Sequence, residues 1–384
     1  MSEVRISQAG RESRLWERDA GGALGEIQIA LNHFLREHNT EKTLLVVALS
    51  GGPDSLAMTA ALSRVALNPA SPLPAVVFCV DHGWRSDSAS EAAAAVACAR
   101  EFGFSTASVL RADKPPATKS LEADARELRW RLLAAATKRA AAERQLSRAF
   151  ILTAHTLDDQ AETVLLGLAR GASLRALCGM SALSKLNNTT GLPDADANEP
   201  LAIYSAKPLL GIRRATTHEA CAQAGLEPAI DPSNCADGPW KTAAGEPLRR
   251  AALRDIGMPA LAKSLGQDPA PALARFASQA GAAETALEAE AVQALLAAWP
   301  GKEAWHPGQS LKLSIGSLAE LPTAILSRVI RRAGEQAGWD RAEVATVHIH
   351  SVMSLVNEWQ GQGTLHLPGL TVTRTAGYLD FSPC

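Results

Sequence analysis

Two short stretches of this chain hold residue types whose spacing suits chemistry on phosphate and on an amine or metal ion. The first is Ser50-Gly51-Gly52-Pro53-Asp54-Ser55, set between six apolar residues (44–49) and the helically spaced Leu56, Thr59, Ala60 and Leu62. A strand, a glycine turn and a helix start present backbone N–H groups and a positive dipole end to an anion. The glycines permit a turn that a Cβ would hinder, and the Ser50 and Ser55 hydroxyls add donors. It is not a Walker A loop, because no Gly-Lys-[Ser/Thr] follows. The second stretch is Thr153-Ala154-His155-Thr156-Leu157-Asp158-Asp159-Gln160-Ala161-Glu162-Thr163. In a helix starting near Thr156, Asp158 and Glu162 share a face at i, i+4, with Asp159 beside them. The helix dipole alone accounts for one or two first-turn carboxylates. Three of them beside a histidine make an acidic corner suited to a magnesium ion, a substrate ammonium, or both.

The elements that must position these groups follow from hydrophobic patterning. Continuous apolar runs at 44–49, 75–80 and 149–154 read as buried parallel strands, with a further strand at 105–110. Helical spacing occupies 23–38, 88–102 and 120–143 between them, with Ser120 as an N-cap. Alternating strands and helices predict an α/β fold with a doubly wound, mostly parallel sheet. In such sheets ligands bind beyond the carboxyl ends of the strands, where the glycine loop, Asp81-His82 and His155 all fall. Residues 1–22 carry no clear period and read as a flexible tail. The expected divisions are a nucleotide-binding domain at 23–215, a helical domain at 216–299 and a small α+β domain at 300–384. Residues 181–198 read as a loop, and 300–309 as a domain boundary.

Bulk properties narrow the partners. The 384 residues are 47% hydrophobic and 20% charged, and the net charge of −2 excludes polyanion binding through overall charge while leaving a local basic face open. Six scattered cysteines without a Cys-x-x-Cys argue against a zinc ribbon, an iron–sulfur site or a disulfide framework. No apolar run approaches a membrane span and no signal-peptide core is visible, so a cytoplasmic protein is expected, with no membrane partner. Oligomeric state, including a homodimer, stays open.

The Ser50–Ser55 loop resembles the pyrophosphate loop (PP-loop) of the ATP pyrophosphatases, which cleave ATP between its α and β phosphates. Further blocks occur in the order seen in tRNA(Ile)-lysidine synthases. They are Val80-Asp81-His82-Gly83, the run from Glu122 to Trp130, the His155-to-Thr163 block, Gly171 through Met180, Lys207-Pro208-Leu209-Leu210 and Asp231-Pro232-Ser233-Asn234, spanning roughly 44 to 261. The resemblance implies an adenine nucleotide alpha hydrolase-like domain followed by helical and small C-terminal domains. It implies a ligase that uses ATP and Mg²⁺ to adenylate C2 of the wobble cytidine of an isoleucine tRNA with a CAU anticodon. The ε-amine of free L-lysine then displaces AMP to give lysidine.

On that resemblance Ser50, Gly51, Gly52, Pro53, Asp54, Ser55, Asp81 and His82 bind the nucleotide. Asp54, Arg126, His155, Asp158, Asp159 and Glu162 form the catalytic set, with Asp54 and Asp158 on magnesium. Arg249, Arg250 and Arg254 lie in the family's RNA-contacting region; Arg213-Arg214 and the trio Arg328, Arg331 and Arg332 are further basic clusters, the trio read as a solvated helix face. His348, His350 and His366 read as structural. Thr156 stands where the family usually has a second histidine, Trp130 replaces a tyrosine, and Ala251 replaces an asparagine. Competing readings are a tRNA thiolase of the same superfamily, disfavoured by the missing Cys-x-x-Cys; an amidating synthetase, disfavoured by the lack of a glutaminase domain; and a non-catalytic RNA-binding protein, opposed by the intact loop.

Overall fold

The structure, a computed structural model, describes residues 4–38, 40, 42–83, 87–111, 121–171, 173–186, 201–229, 235–238, 240–242, 245–300, 310–339 and 344–384. Asp231-Pro232-Ser233-Asn234 and most of the expected boundary at 300–309 lie outside the described residues. The chain forms two compact units, residues 1–278 and 279–384. Among the described residues no helix is long and apolar enough to cross a membrane.

The first unit begins with β1 (Arg5–Ile6), α1 (Gln8–Ser13) and α2 (Gly22–Glu37), followed by β2 (Leu44–Leu49) and α3 (Pro53–Ala66). Next come β3 (Ala75–Asp81), α4 (Ser88–Glu101), β4 (Ala107–Arg111), α5 (Leu121–Glu143) and β5 (Arg148–Leu152). The unit continues through α6 (Leu157–Leu168), α7 (Leu174–Leu177), β6 (Leu183–Lys185), β7 (Ala202–Ala206), α8 (Arg214–Gln223) and β8 (Leu226–Glu227). A short helix α9 (Arg249–Ala252) passes through a π turn (Leu253–Gly257) into α10 (Met258–Leu265), and α11 (Ala270–Ala298) follows.

Six strands form one sheet in the order β4-β3-β2-β5-β7-β6, parallel except for the antiparallel edge β6. The apolar run of β2 needs both sheet faces covered. Leu45, Val47 and Leu49 join the core beneath α2, α3 and α4, while Leu44 and Val46 join the core on the α5 side. Each such side chain contributes about 1.5–3 kcal/mol, so neither face tolerates a polar residue cheaply. The chain runs from β2 outward to β3 and β4, then returns to the other side of β2 as β5. The carboxyl ends of β2 and β5 therefore flank the point where strand order reverses, the place where doubly wound sheets bind ligands.

Three expectations change. Residues 4–22 are not a flexible tail: Val4, Ile6 and Trp16 are at most 2% exposed, β1 pairs with β8, and the Trp16 ring meets Phe102 edge-on at 5.1 Å. Their elements are two to six residues long, too short to register a period. The segment 181–198 opens with strand β6, and its remainder from residue 187 lies outside the described residues. The expected helical domain 216–299 is split by the unit boundary, because α8 packs on α2 and α3 as part of the sheet unit.

The second unit holds the C-terminal part of α11 with β9 (Leu311–Ser314), α12 (Ile315–Ala319), α13 (Thr323–Ala337), α14 (Thr346–Asn357), β10 (Leu365–Leu367), β11 (Leu370–Thr375) and β12 (Tyr378–Pro383). Its four strands form an antiparallel sheet in the order β10-β11-β12-β9. The arginine trio on α13 is not a solvated face. Arg328 pairs with Glu284, and Arg331 and Arg332 pair with Glu288, all partly buried against α11. Helix periodicity reveals that the trio shares α13, but not that carboxylates face it.

Candidate active site

Ser50 leaves the end of β2, Gly51 turns the chain at a φ of 81°, and Gly52 caps α3 in extended conformation with Pro53 at the first helical position. The loop is held by its own hydroxyls. Ser55 Oγ accepts from the Ser50 N–H (3.1 Å), donates to the Gly52 carbonyl (3.1 Å) and lies 3.0 Å from Ser50 Oγ. Ser55 thus shapes the cradle more than it offers a spare donor. Asp54 sits in the first turn of α3, where Thr217 Oγ1 of α8 donates to its Oδ1 and Arg214 Nε lies 4.0 Å from its Oδ2. Burial raises the Asp54 pKa above the ordinary carboxylate value against the opposing pull of Thr217 and Arg214.

The second motif leaves β5 at Thr153. Thr156, at the family's usual second-histidine position, is the N-cap of α6. Its N–H and hydroxyl both donate to Asp159 Oδ2 at 2.8 Å, and the Asp159 N–H returns to Thr156 Oγ1 at 3.4 Å. This capping box fixes the Asp159 rotamer and leaves its Oδ1 facing α8.

The three carboxylates are each met by arginine. Arg213 donates through Nε and Nη2 to Asp158 (3.2 and 2.9 Å), and the Arg214 backbone N–H donates to Asp158 Oδ2 at 2.7 Å. Arg214 Nη2 bridges Asp159 Oδ1 (2.8 Å) and Glu162 Oε1 (3.1 Å). Arg254, carried on the π turn, reaches the same pair, with Nε 3.0 Å from Glu162 Oε1 and Nη2 3.4 Å from Asp159 Oδ1. Burial works to raise the pKa values of Asp158 and Asp159, but the arginine and Thr156 contacts outweigh it and both lie below the ordinary range. The acidic corner is therefore a matched ion network, not an open cluster of negative charge.

His155 Nδ1 shares a hydrogen bond with Thr153 Oγ1 at 2.9 Å. Burial pushes its pKa down to about 4; Asp159 opposes this, while Lys207, Arg250 and Arg126 reinforce it. The ring is neutral at neutral pH and too weak a base to hold a proton there. Unfolded histidine titrates near 6.5 and folded His155 near 4, so protonation in that window favours the unfolded chain. Stability is expected to fall, by on the order of 2 kcal/mol, as pH drops from about 6.5 to about 4. A His155→Gln variant should lack this part of the loss in urea titrations run across that window; equal slopes for the two proteins would refute the assignment.

The remaining expected residues divide. Asp81 closes its own turn, accepting from Gly83 N–H (3.0 Å) and Ser88 Oγ (2.7 Å) and pairing with Arg111 (3.2 Å). His82 Nε2 lies 3.2 Å from Arg129 of α5. Arg126 is exposed on α5 with its charge acting on His155 and Lys207. The basic trio splits: Arg249 is exposed, Arg250 donates to Thr163 Oγ1 at 3.2 Å, and Arg254 enters the ion network.

Sequence reasoning did not assign Lys207, Arg213, Arg214 or Thr217 to the site. Lys207, after β7, donates to Ser205 Oγ at 3.1 Å, and burial, then Arg126, lowers its pKa. Arg213-Arg214 is visible as a basic pair, but its carboxylate partners lie more than fifty residues away.

Among the described residues no group of three or more His, Cys, Asp or Glu could hold a metal ion. Magnesium is usually held by one or two carboxylates plus substrate phosphates. Asp54 fits that mode, with a desolvated carboxylate at the loop; Asp158 does not, since Arg213 and Arg214 take both its oxygens.

A PP-loop domain profile matches residues 24–240, and a TilS substrate binding domain profile matches residues 313–379. The tRNA(Ile)-lysidine synthase of Salinispora tropica is 38% identical over 92% of this chain and 94% of its own length. The protein of the same name from Leifsonia xyli is 37% identical over 88% of this chain and 90% of its own. That from Streptomyces coelicolor is 36% identical over 87% and 83%.

Proposed function

Since the chain belongs to the tRNA(Ile)-lysidine synthase family and is an ATP-dependent ligase, we propose that it converts the wobble cytidine of a CAU-anticodon isoleucine tRNA to lysidine. The observation that carries this reading is the meeting, across α8, of the pyrophosphate loop with the α6 carboxylates. One site releases pyrophosphate and the other receives an amine, which are the two halves of an activation-and-transfer reaction.

The first-turn N–H groups of α3 and the Gly51-Gly52 turn hold the departing pyrophosphate. Asp54 would hold Mg²⁺, which would supply neutralisation of phosphate charge. Arg126 and Lys207 lie on either side of His155 in sequence, yet act electrostatically on the same ring, which supports a shared role in gripping the nucleotide or the activated base. Asp159 and Glu162 orient the lysine ε-amine, which attacks as the free base after giving its proton to solvent as AMP leaves, and neutral His155 positions it without taking that proton. Arg249 is the member of the basic trio best suited to an RNA phosphate, because Arg250 and Arg254 are turned into the protein.

The test incubates the protein with ATP, labelled lysine and the CAU-anticodon tRNA. Label entering the RNA, with one AMP and one pyrophosphate for each lysine joined, is the expected result. A folded, ATP-binding protein that transfers no label would overturn the reading. Pyrophosphate release without transfer would instead favour another chemistry on the same activated base.

A further inference from the structure

Helix α8 makes more contacts to the reacting motifs than its position outside both of them suggests. Three consecutive features of its first turns face the site. Arg213 caps the helix and grips Asp158; Arg214 spans Asp159, Glu162 and, at 4.0 Å, Asp54; and Thr217, one turn further on, holds Asp54. The helix start is itself tied to the start of α6, whose Leu157 N–H donates to the Ile212 carbonyl at 2.8 Å. Behind Thr217, Cys221 Sγ lies 3.4 Å from the Pro53 carbonyl, so the same helix face lines the back of the pyrophosphate loop.

Thr217 is fully buried, and its hydroxyl is shared between Asp54 Oδ1 and the Arg214 carbonyl, 2.8 Å away. Backbone hydrogen bonds already form α8, so the helix does not need that hydroxyl in order to exist. A buried hydroxyl that donates its proton toward a carboxylate on another element is a rotamer lock. Asp54 has rotational freedom of its own in a first helical turn, and only a contact from outside α3 can remove it. Catalytic groups misplaced by about 1 Å lose on the order of 100-fold in rate, so such a lock has a kinetic consequence.

We propose that Thr217 is a positioning residue for the adenylation step: its hydroxyl fixes the Asp54 carboxylate at the mouth of the pyrophosphate loop, and α8 thereby sets the loop carboxylate in register with the α6 carboxylates that Arg214 holds. The inference rests on the proposed reaction for its kinetic readout, but not for its structural one.

The test compares Thr217→Val, which keeps shape and removes the hydroxyl, with Thr217→Ser, which keeps the hydroxyl and removes a methyl. In tRNA-dependent pyrophosphate release, Thr217→Val is expected to lower kcat by about 10–100-fold with KM for ATP changed by less than about threefold. Thr217→Ser should stay within about threefold of the parent kcat. Crystal structures should show the Asp54 carboxylate rotated in Thr217→Val and unmoved in Thr217→Ser. An unmoved Asp54 in Thr217→Val overturns the inference whatever the activity. So does parental kcat in Thr217→Val, or an equal loss in both variants, since the latter would assign the effect to packing of the methyl. Failure of the underlying reaction is separable, because it appears in the parent protein as an absence of lysine transfer.

Discussion

Asp54→Asn is expected to reduce pyrophosphate release by about 10³-fold or more while leaving the protein at least as stable as before. On the proposed mechanism the activity loss follows from removing the loop carboxylate that would share a cation with the departing phosphates. The stability result is the more diagnostic half. Burial raises the Asp54 pKa, so the folded state holds that proton more tightly than the unfolded chain does. The charged form therefore works against folding once pH rises above about 4, the unfolded value. Asparagine removes the charge and keeps an oxygen for Thr217. A variant with unchanged or raised Tm and no pyrophosphate release would identify a residue kept for chemistry at the expense of stability. Release at the parental rate would remove Asp54 from the mechanism.

Glu162→Gln is expected to cost both stability and transfer. Glu162 is 1% exposed and accepts from Arg214 and Arg254. The amide preserves volume but leaves two guanidinium groups sharing Asp159, with Asp54 a more distant partner of Arg214. Removing one member of a buried ion network costs about 3–5 kcal/mol, reduced here to about 2–3 because both arginines are partly exposed. Lysine transfer should fall by about 100-fold, beyond anything the lower stability explains at 25 °C. Adding Arg254→Met should recover part of the stability, by relieving the unpaired cation, and none of the activity. Equal urea midpoints for Glu162→Gln and the parent would show that the network is not held together by charge.

The alternation of strands and helices along the chain, the placement of both motifs at strand ends and the helix that starts near Thr156 were legible because each rests on local pattern. The apolar run of β2 reads as a two-sided buried strand, and Leu44 and Val46 do face a different core from Leu45 and Val47. What was not legible depends on pairing across distance. Nothing near Asp158 in sequence indicates that Arg213 closes on it, and nothing near Arg254 marks it as a partner of Glu162 instead of an RNA phosphate. The π turn that carries Arg254 is equally hidden, since an extra residue in a helical turn leaves no compositional trace. The N-terminal residues fail for a different reason: Val4 just before β1, Ile6 within it and Trp16 in a single 3-10 turn (Leu15–Glu17) are buried one at a time.

The matched network has a consequence for the order in which ligands are accepted. Every oxygen of Asp158, Asp159 and Glu162 already accepts a hydrogen bond from within the protein, so none is open to draw an ammonium from water. An anion that recruits one guanidinium uncovers a carboxylate, and an ammonium that takes a carboxylate releases a guanidinium. Each ligand thus raises the affinity for the other, and thermodynamic linkage makes the two factors equal. Lysine held in this corner alone would be held weakly, and a phosphate bound beside it would be the condition for holding it well.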